Sequence, residues 1–360
     1  MKIREIAQLF GIDQDFAPAG NGHINDTYRS ADGQYILQRV NTHVFTRPVE
    51  LMENIEAVTE FIAAKLRETG GDPSRETLKV LHTEDGRSYI EDKDGFFRMY
   101  LNIADSYTVE PEDAGPAELT EAGAAFGRFQ ELLDDYDAAK LHETIPFFHD
   151  TENRLKNFRA ALEKNSAGRA ESVKAETEFV LSHDWIASVV LDGIRDGSIP
   201  LCVTHNDTKI NNVLFDVNTH KAICVIDLDT IMPGSRLYDF GDALRISAST
   251  AAEDEPDLTK VHFDSEAFKA FARGYLSEVG STLTPREKGL LPFSALLMCY
   301  ECGTRFLTDY LEGDVYFKVK YPEHNLVRCR TQFRMAEEIL AAEEGLKAWV
   351  AAFSDGSVEV

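Results

Sequence analysis

At 360 residues with 43% hydrophobic side chains, the chain can fold as one large domain or two lobes around a packed core, unlike a disordered tail or a small disulfide-stapled module. Its 37 basic against 62 acidic side chains leave a net charge of −25, which repels nucleic acid and anionic membrane, so an anionic ligand has to be met by local cations. No stretch approaches the roughly 18 apolar residues of a membrane helix, and the five cysteines, an odd number with only one lone Cys299-x-x-Cys302 pair, read as reduced core thiols of a cytoplasmic protein.

Residues 1–10 space their charges at helical intervals, so a short amphipathic helix stopped by Gly11 is expected and a signal peptide is not. A strand then leads into the loop Ala19-Gly20-Asn21-Gly22-His23-Ile24-Asn25 and a second strand over 26–30. Gly20 and Gly22 serve equally as plain turn residues or as points where backbone approaches phosphate closely. Asp-Gly pairs at 32–33, 85–86 and 94–95 are hairpin signals between segments of strand character at 35–40, 78–82, 87–91 and 96–101. One helix interrupts them, starting near Thr46 with Pro48 in its first turn and burying Leu51, Met52, Ile55, Val58, Phe61, Ile62 and Leu66. The prediction for residues 1–104 is an antiparallel sheet with one inserted helix.

Beyond Pro111 the pattern turns helical, over 117–136, 152–163 and 171–194 and again over 286–311 and 323–349, so residues 105–360 form a larger, mainly helical lobe. The fold class is α+β and bilobal. Glu253-Asp254-Glu255 reads as a solvated surface turn.

Chemistry concentrates in residues 201–242. Apolar strands at 201–203 and 213–215 flank Thr204-His205-Asn206-Asp207-Thr208-Lys209-Ile210-Asn211-Asn212, and a turn at Asn218-Thr219 leads to a third strand ending at Asp227. His-x-Asp, an Asn five residues after that Asp, and an acid closing the next hairpin form a phosphoryl-transfer layout. Asp207 is the expected base for the attacking hydroxyl. Asn212 and Asp227 are the expected magnesium ligands, because hard cations take oxygen donors. Lys209 would put positive charge beside the transferring group. His205 is expected to orient the loop, and Asp239 in Leu237-Tyr238-Asp239-Phe240-Gly241-Asp242 to brace it by hydrogen bonds. The upstream position of Gly20 and Gly22 then favours a nucleotide role. Residues 98–105 could be an interlobe hinge with Tyr100 against adenine, or an edge strand running into a loop.

These strings resemble the N-acetylhexosamine 1-kinases, a branch of the aminoglycoside phosphotransferase and choline kinase group with a protein-kinase-like fold. The resemblance runs from about Gly22 to Gln332 and rests on Gly22-His23-Ile24-Asn25, residues 196–200 and 204–212, residues 226–235 with Ile226-Asp227-Leu228-Asp229-Thr230, Glu301-Cys302-Gly303, residues 309–314 and residues 320–328. It implies an enzyme that uses ATP and magnesium to phosphorylate the anomeric hydroxyl of N-acetylglucosamine and N-acetylgalactosamine, with Asp207 as base and sugar ligand. His23, Arg305 and Tyr316 match sugar-contacting positions, and Ile246 stands where the resemblance leads one to expect an aromatic wall. Gln38 occupies the strand position of the usual phosphate-holding lysine, which leaves a helix glutamate such as Glu53 or Glu56 without its usual partner. The alternative is a related kinase for an aminoglycoside, choline or another amine-bearing alcohol, which the acidic balance favours on charge alone.

Overall fold

A computed structural model describes residues 3–19 and 24–357. The small lobe contains α1 (Ile3–Leu9), β1 (Phe16–Pro18), β2 (Asp26–Ser30), β3 (Tyr35–Val40), α2 (Pro48–Thr69), α3 (Pro73–Glu76), β4 (Tyr89–Asp92) and β5 (Gly95–Leu101). Its five strands pair antiparallel in the order β1-β2-β3-β5-β4. Strand alternation explains how β5 is covered on both faces. Phe97 and Met99 join Ile6, Phe10, Leu37 and Ile90 under α1, whereas Phe96 and Tyr100 join the α2 residues Leu51, Ile55, Val58 and Ile62 in a core that continues into the large lobe. Pro48 starts α2, where its missing N–H is not needed, and Gly70 ends it at φ +81 with its N–H on Leu66 O.

The segment 78–82 is not a full strand. Only Val80 bridges Tyr100, flanked by Leu81 N–H to Met99 O and Leu101 N–H to Lys79 O. β4 already fills the same edge of β5 through Arg98, so only the last residues of β5 remain for a neighbour.

The large lobe comprises β6 (Ser106–Tyr107), α4 (Pro116–Leu132), α5 (Thr151–Lys164), α6 (Lys174–Ser182), α7 (Val189–Arg195), β7 (Cys202–Thr204), β8 (Val213–Asp216), β9 (Ala222–Val225), β10 (Met232–Gly234), α8 (Arg236–Ser247), α9 (Ser265–Val279), α10 (Pro285–Glu312) and α11 (His324–Ser354). The helix expected over 171–194 is broken between α6 and α7, because Ser182 Oγ and the His183 ring take the carbonyls of Glu178 and Phe179. α8 and α9 are additional helices. α9 is capped by Asp264 and lies close on α4: a Cβ on Gly274 would stand 1.8 Å from Thr120 O.

The acidic run at 253–255 lies in a turn as expected, closed by Glu255 N–H to Ala252 O, but it is half-buried and acts as a tether. Glu253 joins Arg245 of α8 to Arg328 of α11, Asp254 meets Lys320 and His324, and Glu255 meets Lys260. Of the arginine and lysine pairs among these, the one best shielded from water is Glu253 with Arg245, whose side chain is 11% exposed. All five cysteines are free, and burial pushes the Cys302 thiol up to about 11. Among the described residues no helix is long and apolar enough to cross a membrane.

Candidate active site

Two short ladders hold the candidate loops side by side. β7 pairs antiparallel with β10, Thr204 opposite Met232, and β8 pairs with β9. Residues 205–209 leave β7, and Asp227 leaves β9, so the two loops emerge next to each other. Ile226 N–H then donates to Asn212 O at 2.9 Å, Thr230 Oγ1 to His205 O at 2.6 Å, and Asn206 Nδ2 to Thr230 O at 2.7 Å. Asn206 and Asp227 have φ of +65 and +62, a left-handed backbone that non-glycine residues rarely hold without surrounding support. Here the cross-loop hydrogen bonds supply that support.

His205 is a strut between the loops. Its Nδ1 accepts the Asp207 N–H at 3.2 Å, which leaves the proton on Nε2 to donate to Ile226 O at 2.8 Å. The ring is fully buried with Phe126 and Phe129 edge-on to it, so a loop-orienting role fits and proton shuttling does not. Asp239 of α8 braces the same loop. One carboxylate oxygen accepts His205 N–H at 2.9 Å and Gln130 Nε2 at 2.7 Å, and the other accepts Asn206 N–H at 2.7 Å. Burial raises the Asp239 carboxyl, against the opposing pull of His205 and these backbone donors.

The structure brings Asp207, Lys209, Asn212 and Asp227 together. Asp207 Oδ2 accepts Lys209 Nζ at 2.8 Å and Asn212 Nδ2 at 3.3 Å, while Asn212 Nδ2 also reaches Asp207 O at 2.8 Å. Burial alone would lower the Lys209 pKa; Asp207, with Asp242 and Asp227 beyond it, raises it above the usual lysine value, so the side chain stays cationic. Asp227 is exposed. Even so, desolvation by the protein around it, then Asp229 and Asp207, push its carboxyl up to about 6, with Arg98 opposing. Asp229 is taken up by Arg98, which leaves the Asp227 carboxylate beside the Asn212 amide as hard-oxygen donors short of positive charge. Those residues fit magnesium, with Asp227 and the Asn212 Oδ1 as the protein's donors.

Other expected positions fare differently. Gly20, Gly22 and His23 lie outside the described residues. Tyr100 is 5% exposed and carries the Arg98 guanidinium 5.2 Å above its ring, so it is a core residue and offers adenine no free face. Arg305 on α10 is half-buried above Phe317 at 5.5 Å, and Tyr316 is 73% exposed with its ring edge-on to Phe317. Ile246 is half-buried in the last turn of α8. Glu53 and Glu56 of α2 pair with His142 and His82, away from any strand lysine.

Sequence reasoning missed Arg98 and Arg154. Arg98 of β5 is 1% exposed and ion-paired with Asp229. A lone arginine among Phe96, Phe97, Met99 and Tyr100 is a readable signal, since a buried charge demands a partner. Arg154 on α5 has a buried Nε without a hydrogen-bond partner among the described residues. Burial and then the nearby Arg305 lower its pKa, with Glu301 and Tyr316 opposing.

Residues 15–276 match the model of the phosphotransferase enzyme family (APH). The fold is similar to a crystal structure of an aminoglycoside phosphotransferase from Alicyclobacillus acidocaldarius, with TM-score 0.64 and 11% identity over 98% of this chain and 97% of that one. A choline/ethanolamine kinase family protein from Mesorhizobium loti gives TM-score 0.57 and 17% identity over 95% and 98% of the two chains. A spectinomycin phosphotransferase in complex with ADP and spectinomycin gives TM-score 0.53 and 14% identity over 94% and 97%. At these identities the likeness establishes the fold, the kinase-like bilobal α+β arrangement expected above. With the family model spanning both lobes and the His205 to Asp227 constellation, the chain belongs to the phosphotransferase enzyme family.

Proposed function

We propose that the protein is a cytoplasmic kinase that transfers the γ-phosphoryl group of ATP to the anomeric hydroxyl of N-acetylglucosamine or N-acetylgalactosamine, giving the sugar 1-phosphate. Residues 1–104 are the nucleotide-binding lobe and residues 105–360 the catalytic and sugar-binding lobe. The observation that carries the phosphoryl-transfer part is the convergence of Asp207, Lys209, Asn212 and Asp227 at the mouth of two cross-braced loops. Asp207 Oδ2 is engaged by Lys209 and Asn212, so its other oxygen is the one to accept the acceptor's hydroxyl proton. Anomeric hydroxyls are more acidic than ordinary alcohols, so a carboxylate suffices as base without a strongly raised pKa. Lys209 lies on the same side and meets negative charge on the group in transfer. Magnesium held at Asn212 and Asp227 would screen the triphosphate's charge.

The acceptor assignment draws on Arg305, Tyr316, Ile246 and His23, and on the neighbouring Arg154. Planar guanidinium groups bridge pairs of sugar oxygens well. An amine-bearing acceptor is the competing reading, since the structural neighbours include an aminoglycoside phosphotransferase and a choline/ethanolamine kinase family protein. Arg154 and Arg305 weigh against it. If they line the acceptor site, two arginines close enough for one to lower the other's pKa favour a neutral polyol over an ammonium group, with Glu301 offsetting part of their charge.

Phosphorus NMR of products from ATP, magnesium and a panel of sugars and amines tests the reading. An anomeric phosphate on the acetamido sugars is expected; faster turnover of choline or an aminoglycoside overturns the acceptor.

A further inference from the structure

The small-lobe sheet carries its cation one strand away from where a kinase lysine would stand. β3 presents Gln38, and the ladder places Arg98 of β5 directly opposite. Gln38 Oε1 accepts Arg98 Nε at 3.0 Å and Nη2 at 2.8 Å, while Gln38 Nε2 donates to Thr27 Oγ1 at 3.1 Å and so fixes the amide. The remaining nitrogen, Nη1, is ion-paired with Asp229 Oδ1, and Asn25 Nδ2 donates to the other Asp229 oxygen at 2.6 Å. Arg98 is 1% exposed and Asp229 3%. Burying such a pair is favourable only when its other donors and acceptors are also filled, and here the small lobe fills them. Asp229 sits in the turn Leu228–Thr230, directly after Asp227 with its left-handed φ of +62. The sheet therefore grips the chain two residues past the candidate metal ligand.

We propose that Arg98 is a positioning residue for phosphoryl transfer: by clamping Asp229 from the small lobe it sets the pose of Asp227 and withdraws Asp229 from the oxygens free to take the cation. This rests on the reading of the cleft as a magnesium-dependent kinase site, and it supplies a lobe-to-lobe tie in a chain with Gln38 on β3. Ion pairing uses both charged groups, so neither serves a ligand directly. Any effect on the metal would run through the pose of Asp227 and the withdrawal of Asp229.

Calorimetric titration of the full chain with ADP, with and without magnesium, reads the tie in the absence of any acceptor. R98Q and D229N should each weaken the magnesium-dependent part of ADP affinity by roughly 10–100-fold, the range typical of groups that orient metal ligands. ADP binding without magnesium should change little, and R98Q/D229N should be no weaker than either single variant. Folded single variants with parental magnesium dependence overturn the proposal, as do losses that add in the double variant. If a single variant fails to fold because it strands one buried charge, the charge-neutral double variant carries the test, and parental magnesium dependence there overturns the tie. A parent that binds no magnesium–ADP overturns the kinase reading and the tie with it, which separates the two failures.

Discussion

At the scale of single residues, Asp207 and Asp227 are neighbouring acids whose surroundings suit them to the different tasks proposed above. Asp207 faces Lys209 at 2.8 Å and is the candidate base. Asp207→Asn preserves shape and removes the acceptor of the proton, so kcat should fall by roughly 10²–10⁴-fold. ADP affinity and melting temperature should stay near parental values; turnover within a few-fold of the parent would refute the role. Asp227 should behave differently, because its carboxyl rises from an ordinary 3.8 to about 6 in the folded protein. A carboxyl whose folded pKa is raised contributes stability while protonated, at low pH, and that contribution is lost as pH rises through the folded value. At pH 7 the metal-free protein therefore holds an unfavourable charge there. Asp227→Asn should abolish magnesium-dependent turnover and yet raise the melting temperature of the metal-free protein at pH 7. Because Asp227 is exposed, the gain is limited to about 1 kcal/mol. It should shrink by pH 5; a variant less stable than the parent at pH 7 contradicts the argument.

At the scale of elements, the loop bearing Asp207 is only as well placed as α8, whose Asp239 accepts from both His205 and Asn206. α8 in turn lies directly on α10: a Cβ on Gly241 would stand 2.2 Å from Ser294 O. Gly241→Ala must push α8 outward, so overpacking should cost about 1–3 kcal/mol, and kcat should fall further than ADP affinity as Asp239 moves. Thermal melts and steady-state kinetics on the one variant check both; an unchanged melting temperature would show that the helices yield freely. The same helix explains where sequence reading stopped. Every residue from Arg236 to Leu244 is buried, so no apolar stripe at helical spacing marks it. β2, β3 and α2 were legible because half of each faces water, with an Asp-Gly turn between the two strands and Pro48 in the first turn of the helix. The arrangement of Asp207, Asn212 and Asp227 was legible because short turns between strands leave little freedom over those spacings. The burial of Arg98 could be read from its apolar neighbours, but its pairing with Asp229, 131 positions away, follows from no local pattern. α9 had a usable signal, the Asp264 cap before apolar residues at 268, 271, 275 and 279.

At the scale of the whole molecule, a net charge of −25 is offset locally by networks such as Arg245-Glu253-Arg328, which joins α8 to α11. Burial would raise the Glu253 carboxyl, but Arg245 and Arg328 hold it below its ordinary 4.5. A lowered folded pKa gives stability that is present above 4.5 and lost as pH falls through the folded value. The melting temperature should drop on acidification below about pH 4.5, and Glu253→Gln should flatten that drop while destabilising the protein at pH 7. An identical acid profile for the variant would remove Glu253 from the account. The same charge balance bears on the acceptor. An acidic surface gathers cations, and a kinase for amines would exploit that field; on the acceptor side proposed above, Arg154 and Arg305 would oppose it. If the guanidinium of Arg305 bridges sugar oxygens, Arg305→Lys keeps the charge and loses the planar fork. KM for the acetamido sugar should then rise about tenfold or more, on the order of 1.4 kcal/mol, with KM for ATP nearly constant. A 1-deoxy sugar should bind competitively without reacting, because it lacks the hydroxyl that Asp207 would deprotonate. Phosphate on the 1-deoxy sugar, or on carbon 6 of the normal one, would place a different hydroxyl against Asp207 and refute the anomeric assignment, whatever the Arg305 result.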